Sequence, residues 1–328
     1  MKEEEYKKLH KKHFGSDSHT FELITPHGSS REYTRIHSDS IEKVIGTYGE
    51  NEKENIAFIK LSKHLKDKGV PAPSVFIHSD DYLTYIQEDL GGEDLFSLIK
   101  NSAEERNTEE LLKKSIDLLV KFQWEGGVGW DYKDSYPFPA FDESEIDKDV
   151  ARFKEKFLNT LQIDYSEKEF QKEINTLKNL VLEIPESLYQ LIHRDFQPRN
   201  ILIKNDILYV IDFQSARKGP VHYDIASLLF ESKIKYPKEI RENVLNYYIQ
   251  KAEIKGQELF LKHFYVLALF RTIHALGVYG MLGLEQKKQF FLESILPTLS
   301  NLEEILKILE VDFNIHLKEI KKISTIAQ

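Results

Sequence analysis

Cysteine is missing from this chain of 328 residues. Without thiols the protein forms no disulfide, carries no thiolate nucleophile and holds no metal ion through a thiolate. The absence fits a reducing compartment, and we therefore expect the protein in the cytoplasm.

An excess of basic residues is missing as well. The 45 lysines and arginines are outnumbered by 54 aspartates and glutamates, so the net charge is −9. Because binding to a nucleic-acid backbone needs a basic surface, the composition predicts no nucleic-acid partner. The first residues, MKEEEYKKLHKKHF, lack the apolar core of a signal peptide. No uninterrupted apolar stretch approaches the ~20 residues of a membrane span, so we expect a soluble intracellular protein with no membrane partner.

The chain is long enough for more than one compact core. Single hydrophobic cores stop growing near about 250–300 residues, and 41% of these 328 residues are hydrophobic. The pair Gly91-Gly92 follows the last strand predicted for the N-terminal part and marks a natural boundary. We therefore predict two lobes, residues 1–90 and 91–328, while the oligomeric state stays open.

Residues 191–214, LIHRDFQPRNILIKNDILYVIDFQ, form the most informative segment of the chain. Two apolar runs flank Asn205-Asp206, a pair that indicates a two-residue hairpin turn. Folding the chain at this turn predicts a β-hairpin with a defined register. The predicted pairs are Lys204 with Ile207, Leu202 with Tyr209 and Asn200 with Ile211.

Three side chains with oxygen atoms meet at the open end of this predicted hairpin. Asn200 begins the first strand, Asp212 follows the second, and Asp195 lies just upstream on a loop that contains Pro198. Proteins usually bind Mg²⁺ through one or two carboxylates together with substrate phosphates, and amide oxygens are suitable hard ligands. Asn200 and Asp212 are therefore candidate metal ligands.

The order of these residues resembles the catalytic hairpin of protein-kinase-like enzymes. HRDFQPRN fits the pattern H-R-D-x-x-x-x-N, and IDFQ stands where a kinase has its D-F-G triplet. With the following GPVHYDIASLL, the segment resembles the aminoglycoside phosphotransferase family of small-molecule kinases. Within that family it is most similar to bacterial N-acetylmuramate/N-acetylglucosamine anomeric kinases. The resemblance is specific over residues 191–230 and weaker from about residue 26 to 305.

The resemblance implies a two-lobed α+β fold with a small β-rich lobe and a larger, mainly helical lobe. The smaller lobe would clamp ATP against the larger one, and ATP and Mg²⁺ are the expected cofactors. Asp195 would act as the general base, or at least position the attacking hydroxyl. Asn200 and Asp212 would hold the metal.

The same resemblance assigns roles to residues of the N-terminal part. The segment Gln87–Gly92 would be the hinge whose backbone binds adenine, with Glu88 and Leu90 as nucleotide-contacting positions. Glu54 matches the helix glutamate of related phosphotransferases, although a solvated helix glutamate explains it too.

The N-terminal part also offers candidates for phosphate binding. Backbone N–H groups and hydroxyls of the loop Gly28-Ser29-Ser30-Arg31 can surround a phosphate. Kinases carry a lysine on their third strand that pairs with the phosphates and with a helix glutamate. Here only Lys43 lies near, at the start of that strand. Arg31 and Arg35 are therefore expected to supply part of this charge, unless all three cations are surface residues.

Three further polar residues are candidates for the acceptor site. Gln197 and Gln214 lie beside Asp195 and Asp212 and can hydrogen-bond acceptor hydroxyls. Asp142 can accept a substrate hydroxyl, or it can cap the helix that follows it. Because Gln214 replaces the glycine of D-F-G, it lacks glycine's backbone freedom, so flipping of this segment is less expected.

Other patterns predict the supporting structure. A helix is expected over residues 51–68, another beginning at Asn107, and a central apolar helix within residues 261–282. His193 is expected to be a scaffold of the catalytic loop. Asp224 is expected to brace that loop and to cap a helix at residue 225.

The function that best fits these features is phosphorylation of a hydroxyl on a small metabolite by ATP and Mg²⁺. By resemblance the acceptor is an amino sugar, N-acetylmuramate or N-acetylglucosamine, at its anomeric hydroxyl, used in cell-wall recycling. An aminoglycoside, choline or another small acceptor is the alternative. A nucleotide-binding pseudokinase and a metal hydrolase using His193, Asp195, Asp212 and His222 are the competing classes.

Overall fold

The computed structural model of this protein describes residues 2–17, 20–24, 31–38, 42–102 and 105–313, except for the side chain of Arg106. The helices are α1 (Lys2–Phe14), α2 (Glu52–Asp67), α3 (Leu95–Asn101), α4 (Glu105–Val120), α5 (Glu143–Phe153), α6 (Glu167–Leu182), α7 (His222–Leu229), α8 (Lys238–Lys251), α9 (Gln257–Tyr279) and α10 (Gln289–Leu309). The strands are β1 (Thr20–Ile24), β2 (Glu32–His37), β3 (Val44–Tyr48), β4 (Val75–His78), β5 (Thr84–Glu88), β6 (Tyr189–Ile192), β7 (Ile201–Lys204), β8 (Ile207–Val210) and β9 (Arg217–Pro220).

The first five strands form one antiparallel sheet in the order β1-β2-β3-β5-β4. Side chains alternate between the two faces of each strand, and a different helix covers each face. On the α2 face, Phe58 stacks on Tyr85 with 5.5 Å between the ring centroids. On the α1 face the buried residues are Tyr6, Leu9, Ile36, Val44 and Ile86.

The helix α2 joins the sheet to the larger, mainly helical part. It begins where the Asn51 side chain accepts a hydrogen bond from the backbone N–H of Glu54, and it ends before Gly69 at φ +68°. The helix predicted over residues 51–68 is therefore confirmed. Its Phe58 ring lies parallel to Phe213 at 4.6 Å, so one aromatic side chain contacts both the sheet and the segment that follows β8.

The strands β7 and β8 form the predicted hairpin. Asn205 and Asp206 at the turn have φ of 52° and 62°, as a two-residue hairpin turn requires. The backbone N–H of Ile211 donates to the carbonyl of Asn200 at 3.0 Å, so the register continues to the open end. The predicted pairs are confirmed: Lys204 with Ile207 and Leu202 with Tyr209 in the ladder, and Asn200 with Ile211 beyond it.

The helix α9 lies at the centre of the larger part, as predicted. Together with the widened helical turn that follows it, through Glu285, it is long and apolar enough to cross a membrane by length and composition. However, 67% of its most apolar window is buried against other elements, which is how the core helix of a folded protein behaves. Its residues pack mainly against α5, α7 and α10.

Two local predictions about helix starts are wrong. Asn107 does not begin a helix, because α4 already begins at Glu105. Asp224 is the third residue of α7, which begins at His222, so it does not cap a helix at residue 225. In both cases a side chain able to cap lies inside the first turn, where propensity alone does not locate the boundary.

Candidate active site

Asp224 holds the loop that carries the candidate base. Its carboxylate accepts the backbone N–H groups of His193 at 2.8 Å and Arg194 at 2.9 Å, and the side-chain amide of Gln123 at 3.1 Å. Burial raises the pKa of Asp224, while these hydrogen bonds act in the opposite direction. The predicted bracing role of Asp224 is therefore confirmed. Arg194 needs such support because its φ is 76°, an uncommon conformation for a residue with a side chain.

His193 connects the loop to the end of β8. Its Nδ1 accepts the backbone N–H of Asp195 at 3.2 Å, which assigns the ring proton to Nε2. Nε2–H then donates to the carbonyl of Ile211 at 2.8 Å. The imidazole is thus a scaffold, as predicted, and it places Asp195 beside the residue that precedes Asp212.

The carboxylate of Asp195 is oriented by three donors. Gln197 Nε2 bonds to Oδ2 at 2.8 Å, Asn200 Nδ2 bonds to the same oxygen at 3.1 Å, and Arg271 Nη2 bonds to Oδ1 at 3.1 Å. The side chain of Asp195 is still 42% exposed. The carboxylate therefore has a fixed orientation and an accessible face.

Asp212 follows β8 in a left-handed conformation, with φ 62° and ψ 34°. Aspartate tolerates this conformation better than most residues. Its Oδ1 accepts the side-chain amide of Gln214 at 3.0 Å. Gln197 and Gln214 thus each donate to the neighbouring carboxylate, which is a contact that the sequence did not predict.

The nucleotide candidates of the N-terminal part have distinct surroundings. Arg31 is 2% exposed, and its Nη2 lies 3.2 Å from Glu54 Oε1. Arg35 instead donates from Nε to Asp89 Oδ2 at 2.6 Å. Gly28, Ser29 and Ser30 lie outside the described residues.

The predicted hinge is fixed to the tip of the hairpin. Lys204 Nζ donates to the carbonyl of Asp89 at 3.0 Å and lies 3.6 Å from Glu88 Oε1. Leu90 is buried with 3% exposure. The segment predicted to face adenine therefore contacts the hairpin that carries Asn200.

Asp142 is the N-cap of α5. It accepts the backbone N–H of Glu145 at 3.2 Å and the hydroxyl of Ser144 at 2.6 Å. The bond from Ser144 is the largest cause that lowers the pKa of Asp142. Of the two roles predicted for it, capping is the one with contacts in the structure, and the hydroxyl contact stays a prediction.

Arg271 is a residue of the candidate site whose partner the sequence did not predict. It lies on the apolar helix α9 and pairs with Asp195. Its Nε also donates to Ser227 on α7 at 3.0 Å. The available signal was an arginine in the most apolar part of this helix, because a buried charge needs a partner of opposite charge.

The residues required for the metal hydrolase do not converge. His222 is fully buried and stacks on Phe260 at 4.1 Å. Among the residues that the structure describes, no group of three or more His, Cys, Asp or Glu side chains could hold a metal ion. Asn200 and Asp212, an amide and a carboxylate, remain the candidate ligands.

Known proteins show the same architecture and, over part of the chain, related sequences. The chain is 24% identical over 230 residues to an N-acetylmuramate/N-acetylglucosamine kinase of Pseudomonas aeruginosa. The matched region covers 68% of this chain and 65% of that kinase, so this chain spans slightly less than two thirds of the kinase's length. The fold of this chain is similar to that of Plasmodium vivax ethanolamine kinase, with a TM-score of 0.61 and 15% identity over 86% of this chain and 81% of the other. It is also similar to a spectinomycin phosphotransferase solved with ADP and spectinomycin, with a TM-score of 0.57 and 16% identity over 96% and 98%.

These similarities confirm the predicted α+β kinase-like fold, with a small antiparallel sheet and a larger helical part. The model of one family, described as the phosphotransferase enzyme family, matches residues 15–259, which is most of the chain. This chain belongs to the phosphotransferase enzyme family.

Proposed function

We propose that this protein is an ATP- and Mg²⁺-dependent kinase that phosphorylates a hydroxyl group of a small metabolite. The observation that supports this most is the arrangement of Asp195, Asn200 and Asp212 around one end of the β7–β8 hairpin. Membership in the phosphotransferase enzyme family supports the same class of reaction.

In the proposed reaction the acceptor oxygen forms a bond to the γ-phosphorus of ATP. The bond from that phosphorus to the β,γ-bridging oxygen breaks, ADP leaves, and the hydroxyl proton passes to Asp195. Asp195 suits this role because its carboxylate is accessible while Gln197, Asn200 and Arg271 fix its orientation. Proton transfer by a positioned carboxylate is worth about 10²–10⁴-fold in rate.

Asn200 and Asp212 are suited to hold Mg²⁺. Asn200 turns its amide nitrogen toward Asp195, so its carbonyl oxygen points elsewhere and accepts no hydrogen bond from the described part of the chain. Beside Asp212, the side-chain oxygen of Gln214 is buried without a hydrogen-bond partner in the described ranges. These hard oxygen atoms match the donors that Mg²⁺ prefers. When bound, the metal neutralises negative charge on the phosphate oxygens.

For the acceptor we propose an amino sugar, N-acetylmuramate or N-acetylglucosamine, phosphorylated at its anomeric hydroxyl in cell-wall recycling. The support is the Pseudomonas aeruginosa kinase of that name, which shares 24% identity with this chain over 230 residues. A cationic acceptor such as choline or an aminoglycoside is the second candidate, because the net charge of −9 favours cations. We further propose a cytoplasmic protein, whose lobes meet near residue 90, between β5 and α3.

The test is a screen for ADP release by the purified full-length protein with ATP and Mg²⁺. Free amino sugars, sugar phosphates, aminoglycosides and amino alcohols are offered separately, and a parallel series contains EDTA. We expect ADP release with N-acetylmuramate or N-acetylglucosamine, its loss in EDTA, and a product whose phosphorus NMR signal is that of an anomeric phosphate.

Other outcomes select the alternatives. Release with choline or an aminoglycoside alone would replace the sugar assignment. Binding of ATP without release of ADP for any acceptor would favour a pseudokinase. Activity that persists in EDTA would contradict the metal assignment.

A further inference from the structure

The strand β3 has no cation on the face that a kinase lysine would use. Gly46 faces α1, because a Cβ atom there would lie 2.7 Å from the ring of Tyr6. Thr47 therefore faces the opposite side, where it is fully buried and accepts a hydrogen bond from Gln87 Nε2 at 3.1 Å. Lys43 precedes the strand and is exposed. A cation for the nucleotide phosphates must therefore come from another element.

Arg31 reaches this side of the sheet from the start of the neighbouring strand. Its guanidinium lies 3.2 Å from Glu54 Oε1 and donates to the Glu54 carbonyl at 3.4 Å. It also lies 5.4 Å from the centre of the Phe58 ring. Glu54 and Phe58 belong to α2. This helix corresponds to the kinase helix whose glutamate pairs with the strand lysine.

The charge of Arg31 is maintained although the side chain is 2% exposed. Burial acts to lower the pKa of Arg31, but Tyr85, Tyr33, Glu54 and Asp212 together raise it above its usual value. Asp212, the candidate metal ligand, is thus near enough to contribute electrostatically. The guanidinium is therefore charged, and it interacts electrostatically with both Glu54 of α2 and Asp212.

The backbone leaves room for this arginine. A Cβ atom at Gly49 would approach the Arg31 Cγ atom to 3.3 Å and Asn55 Oδ1 to 2.7 Å. Asn55 in turn donates to the carbonyls of Gly49 and Tyr82 at 2.8 and 2.9 Å, which fixes the start of α2 to the sheet. The position of Arg31 is therefore built into the fold.

We propose that Arg31 is the residue that binds the nucleotide phosphates in place of the strand lysine, with Glu54 as its anchor. This inference rests on the proposed function, because it concerns the same nucleotide site. A guanidinium has five N–H donors in a fixed fork, so it can bind a carboxylate and a phosphate together. Arg35 is less suited to this role, because its carboxylate partner is Asp89 at the hinge and not the glutamate of α2.

The test compares nucleotides that differ only in their phosphates. Binding of Mg²⁺-ADP and of adenosine to the full-length protein is measured by calorimetry, without an acceptor. For Arg31→Met we expect about tenfold or greater loss of ADP affinity, as for a lost hydrogen bond to a charged group, and unchanged adenosine affinity. Unchanged ADP affinity would overturn the proposal, and so would an equal loss for both ligands.

A control separates this effect from the loss of any partly buried ion pair. Arg241 on α8 pairs with Glu304 on α10, away from the catalytic hairpin, and its side chain is 14% exposed. Arg241→Met is expected to leave ADP affinity as it is in the unchanged protein. If Arg31→Met does not fold by circular dichroism, Arg31→Gln, which keeps a polar partner for Glu54, is judged by the same two affinities.

The result is independent of the acceptor. A protein that phosphorylates none of the acceptors in the screen but binds ADP through Arg31 would contradict the proposed function and support this inference. A protein that phosphorylates a sugar while Arg31→Met binds ADP normally would do the reverse.

Discussion

At the scale of single residues, the candidate site consists of carboxylates whose surroundings differ. Asp224 is fully buried and bonded to backbone N–H groups, so it has a structural role. Asp195 is oriented by side chains and stays accessible, which is the environment that a base for an incoming hydroxyl requires. Exposure and hydrogen-bond partners therefore agree with the different roles that the sequence predicts for Asp195 and Asp224.

The first prediction concerns Asp195. Asp195→Asn keeps the shape of the side chain but removes the proton acceptor, so turnover is expected to fall by about 10²–10⁴-fold. Affinity for Mg²⁺-ADP is expected to stay within about twofold, as checked by calorimetry beside steady-state kinetics. Asp206→Asn, the same change at the exposed turn of the hairpin, serves as the control. Turnover near that of the control would contradict the assignment.

The second prediction concerns Asp149 on α5 and the stability of the protein in acid. Burial opposes ionisation of Asp149, but His274 at 2.7 Å, Arg194 and Arg152 outweigh it and lower its pKa from 3.8 to about 2. Because folding lowers the pKa of Asp149, its ionised form stabilises the fold at any pH above the ordinary pKa of 3.8. That contribution disappears as the pH falls toward about 2. The contribution is on the order of 2 kcal/mol.

Asp149→Asn is therefore expected to be less stable than the unchanged protein near neutral pH. The gap in unfolding free energy should narrow as the pH falls from about 4 to about 2, because the aspartate then takes up its proton. Urea unfolding followed at several pH values measures this gap. A gap that stays constant over this range would show that Asp149 acts through packing and not through charge.

At the scale of elements, the hairpin and α9 contribute to the site in different ways. The hairpin brings Asn200 and Asp212 to one end through a local register. The helix α9 brings Arg271 to Asp195 only because it packs against α7 and α5 in the interior. The close approach of α9 to its neighbours therefore decides whether Arg271 reaches Asp195.

The third prediction tests that approach at Gly280, just after α9. A Cβ atom at this position would lie 2.2 Å from the carbonyl oxygen of Lys156, so the two backbones must separate. Gly280→Ala is expected to lower the unfolding free energy by about 1–3 kcal/mol, as overpacking does. Gly92→Ala is the matched control, since a Cβ atom there meets nothing within 4 Å. Equal stability of the two variants in urea unfolding would contradict the close approach.

At the scale of the whole molecule, one aromatic residue connects the sheet to the candidate site. Phe58 is 3% exposed and stacks on Tyr85 of β5 at 5.5 Å and on Phe213 at 4.6 Å. Because Phe213 directly follows Asp212, this contact fixes the position of the sheet relative to the candidate metal ligand Asp212. The two parts of the molecule are therefore coupled through a packed interior.

The fourth prediction concerns this coupling. Phe58→Ala is expected to lower the unfolding free energy by about 3–5 kcal/mol. Hydrogen exchange should show a greater loss of protection for amides of β3 and β5 than for those of α9, since the sheet loses its attachment. Phe170→Ala, which removes a fully buried ring from α6, is the control with its contact inside the helical part. Equal loss of protection in the sheet and α9 for Phe58→Ala would contradict the coupling.

Much of the candidate site follows from local sequence. The turn at Asn205-Asp206 and the two-residue period of the strands determine that Asn200 and Asp212 share one end of the hairpin. The spacing of apolar residues likewise predicts α2 and α9. Helix starts follow less directly from local sequence, as Asn107 shows, because a capping residue competes with neighbours one or two positions away.

Tertiary structure alone decided which charges meet. Arg31 pairs with Glu54, which lies 23 residues away in the sequence, and Arg271 pairs with Asp195, which lies 76 residues away. Arg35 pairs with Asp89. No local pattern selects among these partners, because each pairing depends on how a helix packs against the sheet or the hairpin. A buried charge must find an opposite charge in the space that packing leaves, and that space exists only in the folded chain.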